Sequence, residues 1–314
     1  MKIFVTGAAG FTGRAVVAEL ANRGHEVVGL VHKAEDGKLV EKLGGRYIEG
    51  DLMKKGSWVD EVQSSYRVIS LSWPVKITDR LNIEDMADVN VKHAQGVTNL
   101  IRAAKHGEAK SILVTYDTLC MGDVAGKWIE EPGAFNPTGF CRPIGNSFEE
   151  IGRAGKDAGI PLVNIFPARV YGNGGWFALM VERIRQGSWR MAGKGDNYLS
   201  LIHLEDLAWA YGEAAERLTH EESFALADGN PGTQAELMNY VSELLGVAHP
   251  EPMDYHEFAD KEGIMLAESL AASAKVSGSK AARLLDFEPR YANFRDGVLA
   301  VLKGMGIEPV KKAA

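Results

Sequence analysis

The sequence predicts a doubly wound α/β fold: one parallel sheet, helices on both faces, and a smaller, mostly helical C-terminal lobe. Three observations carry this. Short apolar runs alternate with amphipathic stretches through the first half; a glycine-rich turn separates the first run from the first helix; and after Val170 helical patterns dominate. Such strand–helix alternation implies parallel strands joined by right-handed crossovers.

Taken in order, Ile3–Thr6 reads as a buried strand, and Gly7, Gly10 and Gly13 follow it three apart. Arg14 to Leu20 then continues as a helix with Val16, Val17 and Leu20 on its apolar side. This is the strand–turn–helix setting of a dinucleotide-binding turn. Gly7 permits a tight turn, Gly10 lets the backbone approach a pyrophosphate, and Gly13 lets the helix pack closely on the strand. The helix N-terminus adds free N–H groups and a positive dipole end. Phe11 and Thr12, between the last two glycines, are counted with them as cofactor-binding, and the fold is read as Rossmann-type.

Further strands are expected at Glu26–Val31, Arg46–Glu49, Val68–Ser72, Ser111–Thr115 and Leu162–Phe166. Helices between them are expected near Gly13–Arg23, Gly37–Leu43, Trp58–Val62, Ile83–Lys105 and Ser147–Ala158. The long one places Met86, Val89, His93, Val97, Leu100, Ile101 and Ala104 at three-and-four spacing, hence one buried face. Beyond Val170 the helical stretches are Phe177–Arg185, Leu204–Leu218, Gln234–Leu245, Tyr255–Ala272 and Lys280–Leu285, with extended pieces such as Glu222–Leu226 between them. Residues 1–170 are read as the dinucleotide-binding domain and 171–314 as a substrate lobe, partly interleaved with the core and unable to fold alone.

The net charge of -7 argues against nucleic acid and against an anionic membrane surface as partners. No apolar run is long enough to span a bilayer, and the chain opens on its first strand, leaving no room for a signal peptide. A cytoplasmic protein is expected. The two cysteines, Cys120 and Cys141, read as free thiols in a reducing compartment. The eight histidines show no metal-ligand spacing, so no metal is predicted.

Several segments resemble, in order, the extended short-chain dehydrogenase/reductase family of the nucleotide-sugar epimerase/dehydratase type. They are TGAAGFTG at the turn, EGDL ending in Asp51 and Leu52, GVTNLIRAA at Gly96 to Ala104, PARVYGNGG from Pro167 to Gly175, LIHLEDLAWAY from Leu201 to Tyr211, and VSGSKAARLLDFEPRY from Val276 to Tyr291. The resemblance runs from Met1 to about Leu302. It implies that Asp51 and Leu52 contact the adenine and that the loop beginning at Pro167 lines the nicotinamide and substrate.

An acidic residue at the end of the second strand would bind the ribose 2′-OH of NAD. That place holds Val31, followed by His32 and Lys33, with Arg14 as a third potential cation. NADP is therefore favoured over NAD. The family's proton chemistry uses a Tyr-x-x-x-Lys pair, in which the Lys lowers the tyrosine pKa. Here Ile144 and Phe148 stand at the corresponding places, and neither can carry a proton. Counting back from Gly122, Asp117 takes the usual serine place, flanked by Tyr116 and Thr118, and Phe166 replaces the arginine before Pro167.

Two readings follow. In one, the chain is an NADP-binding oxidoreductase or epimerase/dehydratase-like enzyme with a relocated proton donor, drawn from Tyr116, Asp117 and Thr118. Trp73, Arg169, Tyr171, Trp176 and His203 would line the pocket of a small hydroxyl- or carbonyl-bearing substrate. In the other, it binds a dinucleotide without catalysis, as a sensor or assembly factor. For the residues themselves, Tyr116 as packing and Asp117 as a turn cap are the plainer alternatives. The resemblance makes a homodimer plausible.

Overall fold

The computed structural model describes residues 1–73, 83–130 and 135–310, leaving out the side chains of residues 83–87 and 146. Seven strands form the main sheet: β1 (Lys2–Thr6), β2 (Glu26–Val31), β3 (Arg46–Glu49), β4 (Arg67–Ser70), β5 (Ile112–Thr115), β6 (Leu162–Pro167) and β7 (Glu222–Leu226). Their order is β3-β2-β1-β4-β5-β6-β7, parallel throughout. Val5 of β1 pairs with Gly29 on one side and Ile69 on the other. Ile3, Phe4 and Val5 are completely buried, as a central strand covered on both faces requires. The strand order reverses between β1 and β4, where such sheets bind ligands at their carboxyl ends.

Helices α1 (Phe11–Asn22), α2 (Ala34–Lys42), α3 (Trp58–Gln63), α4 (Ile83–Ala104) and α5 (Gly145–Ala158) connect these strands. The apolar stripe of α4 is seated as its spacing demands: Val97, Leu100, Ile101 and Ala104 are buried. In α5, Gly155 lets the helix lie against Leu162 of β6, a Cβ there standing 2.8 Å from the leucine side chain. Helices α4 and α5 pack on each other, and α1 packs on α7 (Leu204–Arg217).

The piece Glu222–Leu226 is more than a lobe strand. It is the seventh strand of the main sheet, with Ala225 opposite Phe166 of β6. Its residues Phe224, Ala225 and Leu226 are buried, and α7 brings the chain back to α1 before it. Arg23, just past α1, fastens that return through Glu19 and Glu213 at 2.7 Å each, with its guanidinium 5.6 Å over the Trp209 ring.

A second apolar core, built on Tyr171, Phe177, Met180, Leu237, Met238 and Phe294, is enclosed by α6 (Gly175–Arg185), α8 (Gln234–Leu245), α9 (Tyr255–Glu262), α10 (Ile264–Ala271) and α12 (Phe294–Gly304); α11 (Ser279–Leu285) packs on α7 and β7 instead. The stretch expected as one helix from Tyr255 to Ala272 divides at Gly263, whose φ of +101° ends the first segment. Helix α12 escapes the sequence reading, although its signal is present. Asn293 caps it by accepting from the Arg295 and Asp296 N–H groups, and Phe294, Val298, Val301 and Leu302 bury one face.

Candidate dinucleotide and substrate site

The glycine turn sits at the carboxyl end of β1. Gly7 has φ +66°, and its N–H-side neighbour in the turn, Gly10, donates to the Gly7 carbonyl at 2.9 Å. A Cβ on Gly13 would stand 1.9 Å from that same carbonyl oxygen, so nothing larger than glycine fits. Gly10 caps α1 with no side chain, and no acidic residue stands in the first turn. The N–H groups of Phe11, Thr12 and Gly13 thus lack intrahelical partners at the positive end of the helix. These donors fit a pyrophosphate. The Phe11 ring turns away to the lobe, where Gly172 and Gly175 lie against it.

At the adenosine end, His32 and Lys33 are exposed after buried Val31, and neither side chain makes a hydrogen bond or ion pair among the described residues. Lys33 opens α2, whose first turn carries Glu35 and Asp36. Asp51 accepts from the Met53 N–H at 2.9 Å, an Asx turn that fixes the loop after β3. The Leu52 carbonyl accepts from Asn99 Nδ2 of α4 at 2.8 Å, while its side chain joins the core.

At the carboxyl ends of β4 and β5 lies an aromatic cluster. Tyr116 stacks on Phe166 at 5.0 Å between centroids and meets Phe148 edge-on at 5.2 Å. Phe148 stacks in turn on Phe135 at 4.5 Å, and Ile144 is completely buried. The Tyr116 hydroxyl has no hydrogen-bond partner among the described residues, and burial pushes it well above the usual phenol range. Next to it stands a residue the sequence reading assigned only to a helix face: His93 of α4. Its ring lies 6.1 Å from the Tyr116 ring and 4.9 Å from Trp73. Nδ1 is 3.1 Å from the Ser72 carbonyl, Nε2 has no partner among the described residues, and burial pushes the ring's pKa down. Its signal was a lone polar residue on an otherwise apolar helical stripe.

Asp117 caps the short 3-10 turn Thr118–Met121 by accepting from the Leu119 N–H at 2.7 Å. Burial pushes its carboxyl up, opposed by that hydrogen bond and by the Arg169 charge. Arg169 is half-buried with no side-chain hydrogen bond among the described residues. Burial pushes its pKa down against the charges of Asp117 and Cys141. Cys120 and Cys141 are both free and buried. Pro167 ends β6 and is buried.

The remaining predicted pocket residues sit in a different setting. Tyr171 is completely buried in the second core, and a Cβ on Gly297 of α12 would stand 1.9 Å from its hydroxyl. His203 caps α7 through Nδ1, accepting from the Glu205 N–H at 3.2 Å, and burial lowers its pKa to about 4. Its ring lies 5.2 Å from Tyr171 and 3.9 Å from Tyr291. Trp176 donates its indole N–H to the Val170 carbonyl at 2.7 Å. Among the described residues no group of three or more His, Cys, Asp and Glu is placed to hold a metal, and no helix is long and apolar enough to cross a membrane.

An uncapped helix over a glycine turn, at the switch point of a seven-stranded parallel sheet, defines a Rossmann-type α/β protein. The chain belongs to the NAD dependent epimerase/dehydratase family, whose model matches residues 3–227. It is 26% identical to a 2-alkyl-3-oxoalkanoate reductase of Stenotrophomonas maltophilia over 78% of this chain and 76% of that protein. In fold it resembles the human epimerase family protein SDR39U1, solved with NADPH (TM-score 0.79, 19% identity, 96% of this chain and 99% of that one). It also resembles UDP-glucuronic acid 4-epimerase from Bacillus cereus, solved with UDP-glucuronic acid and NAD (TM-score 0.80, 18% identity, 98% and 99%).

Proposed function

We propose that the chain is an NAD(P)-dependent oxidoreductase of the epimerase/dehydratase type, acting on a small hydroxyl- or carbonyl-bearing metabolite. The observation that carries this is the uncapped, acid-free first turn of α1 over Gly7–Gly13, beside strand ends that bear unpartnered polar groups. Phe11, Thr12 and Gly13 would hold the pyrophosphate through backbone N–H groups, and Asp51 and Leu52 would border the adenine. The bound nicotinamide would supply hydride transfer. His32 and Lys33, both without side-chain partners among the described residues, favour a 2′-phosphate and hence NADP. The bacterial reductase relative supports a reductive direction.

The protein's own part is to hold the substrate oxygen and handle its proton. Among the described residues, Tyr116 offers an O–H with no acceptor, and Arg169 a guanidinium with no hydrogen-bonded partner. Burial keeps Tyr116 protonated, so it polarises the oxygen rather than ionising. Asp117 and Thr118 shape the turn that sets Tyr116, and the Asp117 charge orients Arg169. A second reading, a dinucleotide-binding protein without catalysis, is favoured by the apolar packing of Ile144 and Phe148.

Calorimetric titration with NADP(H) and NAD(H) tests the proposal. Micromolar or tighter binding of NADP(H), with weaker NAD(H), supports it, and absence of binding of either overturns both readings. NADPH oxidation by a panel of ketones, lost in Tyr116→Phe, separates the enzyme from the silent binder.

A further inference from the structure

Among the described residues, His93 Nε2 and Tyr116 Oη are two polar atoms without partners on neighbouring rings, and both residues are only 4% exposed. Leaving a buried polar group unmade costs about 1–3 kcal/mol. Two such groups side by side at the carboxyl edge of β4 and β5 therefore call for something that completes both.

Their hydrogen-bonding roles are fixed by chemistry. The Ser72 carbonyl can only accept, so Nδ1 of His93 carries the ring proton and Nε2 presents a lone pair. Tyr116, held neutral, presents an O–H. One acceptor and one donor together match a hydroxyl, which both donates and accepts. A carboxylate has no proton for Nε2. The rings around the pair are Trp73, Phe148 and Phe166, all apolar faces, which suit a flat hydrocarbon body.

We infer that His93 and Tyr116 form a two-point grip on the hydroxyl of a neutral, flat, apolar alcohol, with His93 the group that takes its proton. This rests on the oxidoreductase reading above and names its substrate class and its missing base. In the oxidising direction the O–H bond breaks and its proton passes to Nε2. The carbinol C–H bond breaks with its electron pair leaving as hydride to the oxidised nicotinamide. The carbon becomes a carbonyl whose oxygen keeps the Tyr116 hydrogen bond, and reduction runs the same steps backwards.

The test is ¹⁵N NMR of the histidine rings of the full chain, with and without NADP⁺, the His93 signals being assigned by their loss in His93→Gln. Benzyl alcohol is the probe and benzoate the control. The expected result is an unprotonated Nε2 that shifts on adding benzyl alcohol but not benzoate, with the apparent affinity about tenfold weaker in Tyr116→Phe, the worth of one hydrogen bond. A protonated Nε2, or no response to benzyl alcohol in the wild type, overturns the grip. NADP⁺ binding by calorimetry without that response removes the grip and leaves the cofactor reading standing. A benzyl alcohol response without NADP⁺ binding supports the grip and removes the oxidoreductase reading.

Discussion

Phe11 and Gly174 touch: a Cβ on Gly174 would stand 2.7 Å from the Phe11 ring. The aromatic side chain of the glycine turn is thus docked on the loop that opens α6. Gly174 also holds φ +147°, a conformation that side chains with a Cβ resist. Gly174→Val is expected to lower stability by about 2–3 kcal/mol, from strain and a forced clash. It is also expected to weaken NADP(H) more than tenfold by shifting the turn. Thermal unfolding and calorimetry on one preparation measure both effects.

Cofactor choice is expected to depend on Lys33, the cation after β2. Lys33→Glu places a carboxylate beside Glu35 and Asp36 at the start of α2. Repulsion of a 2′-phosphate near the surface is worth about 1–2 kcal/mol. Affinity for NADP(H) is therefore expected to fall about tenfold while that for NAD(H) changes little, and titration with each nucleotide decides.

Stability is expected to fall as pH rises from about 4 towards neutrality on account of Asp228. Burial, with the Asp206 charge adding to it, pushes this carboxyl up to about 7, and its Oδ2 has no partner among the described residues. Between the ordinary carboxylate value near 4 and about 7, the folded chain keeps a proton that the unfolded chain has released. The contribution is full below that window and is lost as pH climbs through it, on the order of 2–4 kcal/mol. Asp228→Asn should flatten this slope and raise the melting temperature at pH 8 relative to the wild type. Parallel melting curves at pH 5 and pH 8 would show it, and identical slopes would refute it.

The thiols are expected to be inert in the native state. Cys141 is pushed well above the ordinary thiol range, first by its contact with Cys120 and then by burial. Both side chains are at most 2% exposed. Alkylation by iodoacetamide should be more than about a hundredfold slower natively than in denaturant. Mass spectrometry of a time course gives both rates.

The sheet was legible because its signals are local. The apolar runs from Lys2 to Pro167 leave little choice but buried parallel strands, and the glycine spacing fixes the turn. Less legible were features set by distant partners. Glu222–Leu226 shows an apolar run, yet nothing local says that it pairs with β6 rather than within the lobe. The division at Gly263 depends on a backbone angle that one glycine permits but does not demand. At the site, Tyr116 and Asp117 were found by counting from Gly122. His93 was hidden among the buried positions of α4, because periodicity reports that a residue faces inward and not what it meets there. Only the pairing of Ser72 with Nδ1 and the empty Nε2 separate it from an ordinary core histidine.

The position of β7 also bears on how the chain emerges from the ribosome. Synthesis delivers β6 about fifty-five residues before its outer neighbour, since β6 ends at Pro167 and β7 begins at Glu222. During that interval β6 is an open edge, with Ile165 and Phe166 in a row of unpaired backbone groups, the kind of template that recruits other chains. The segment made in between supplies α6 and α7, and α7 is the element that docks on α1 and turns the chain back. The polypeptide therefore seals its own sheet last, after the nascent lobe has begun to form.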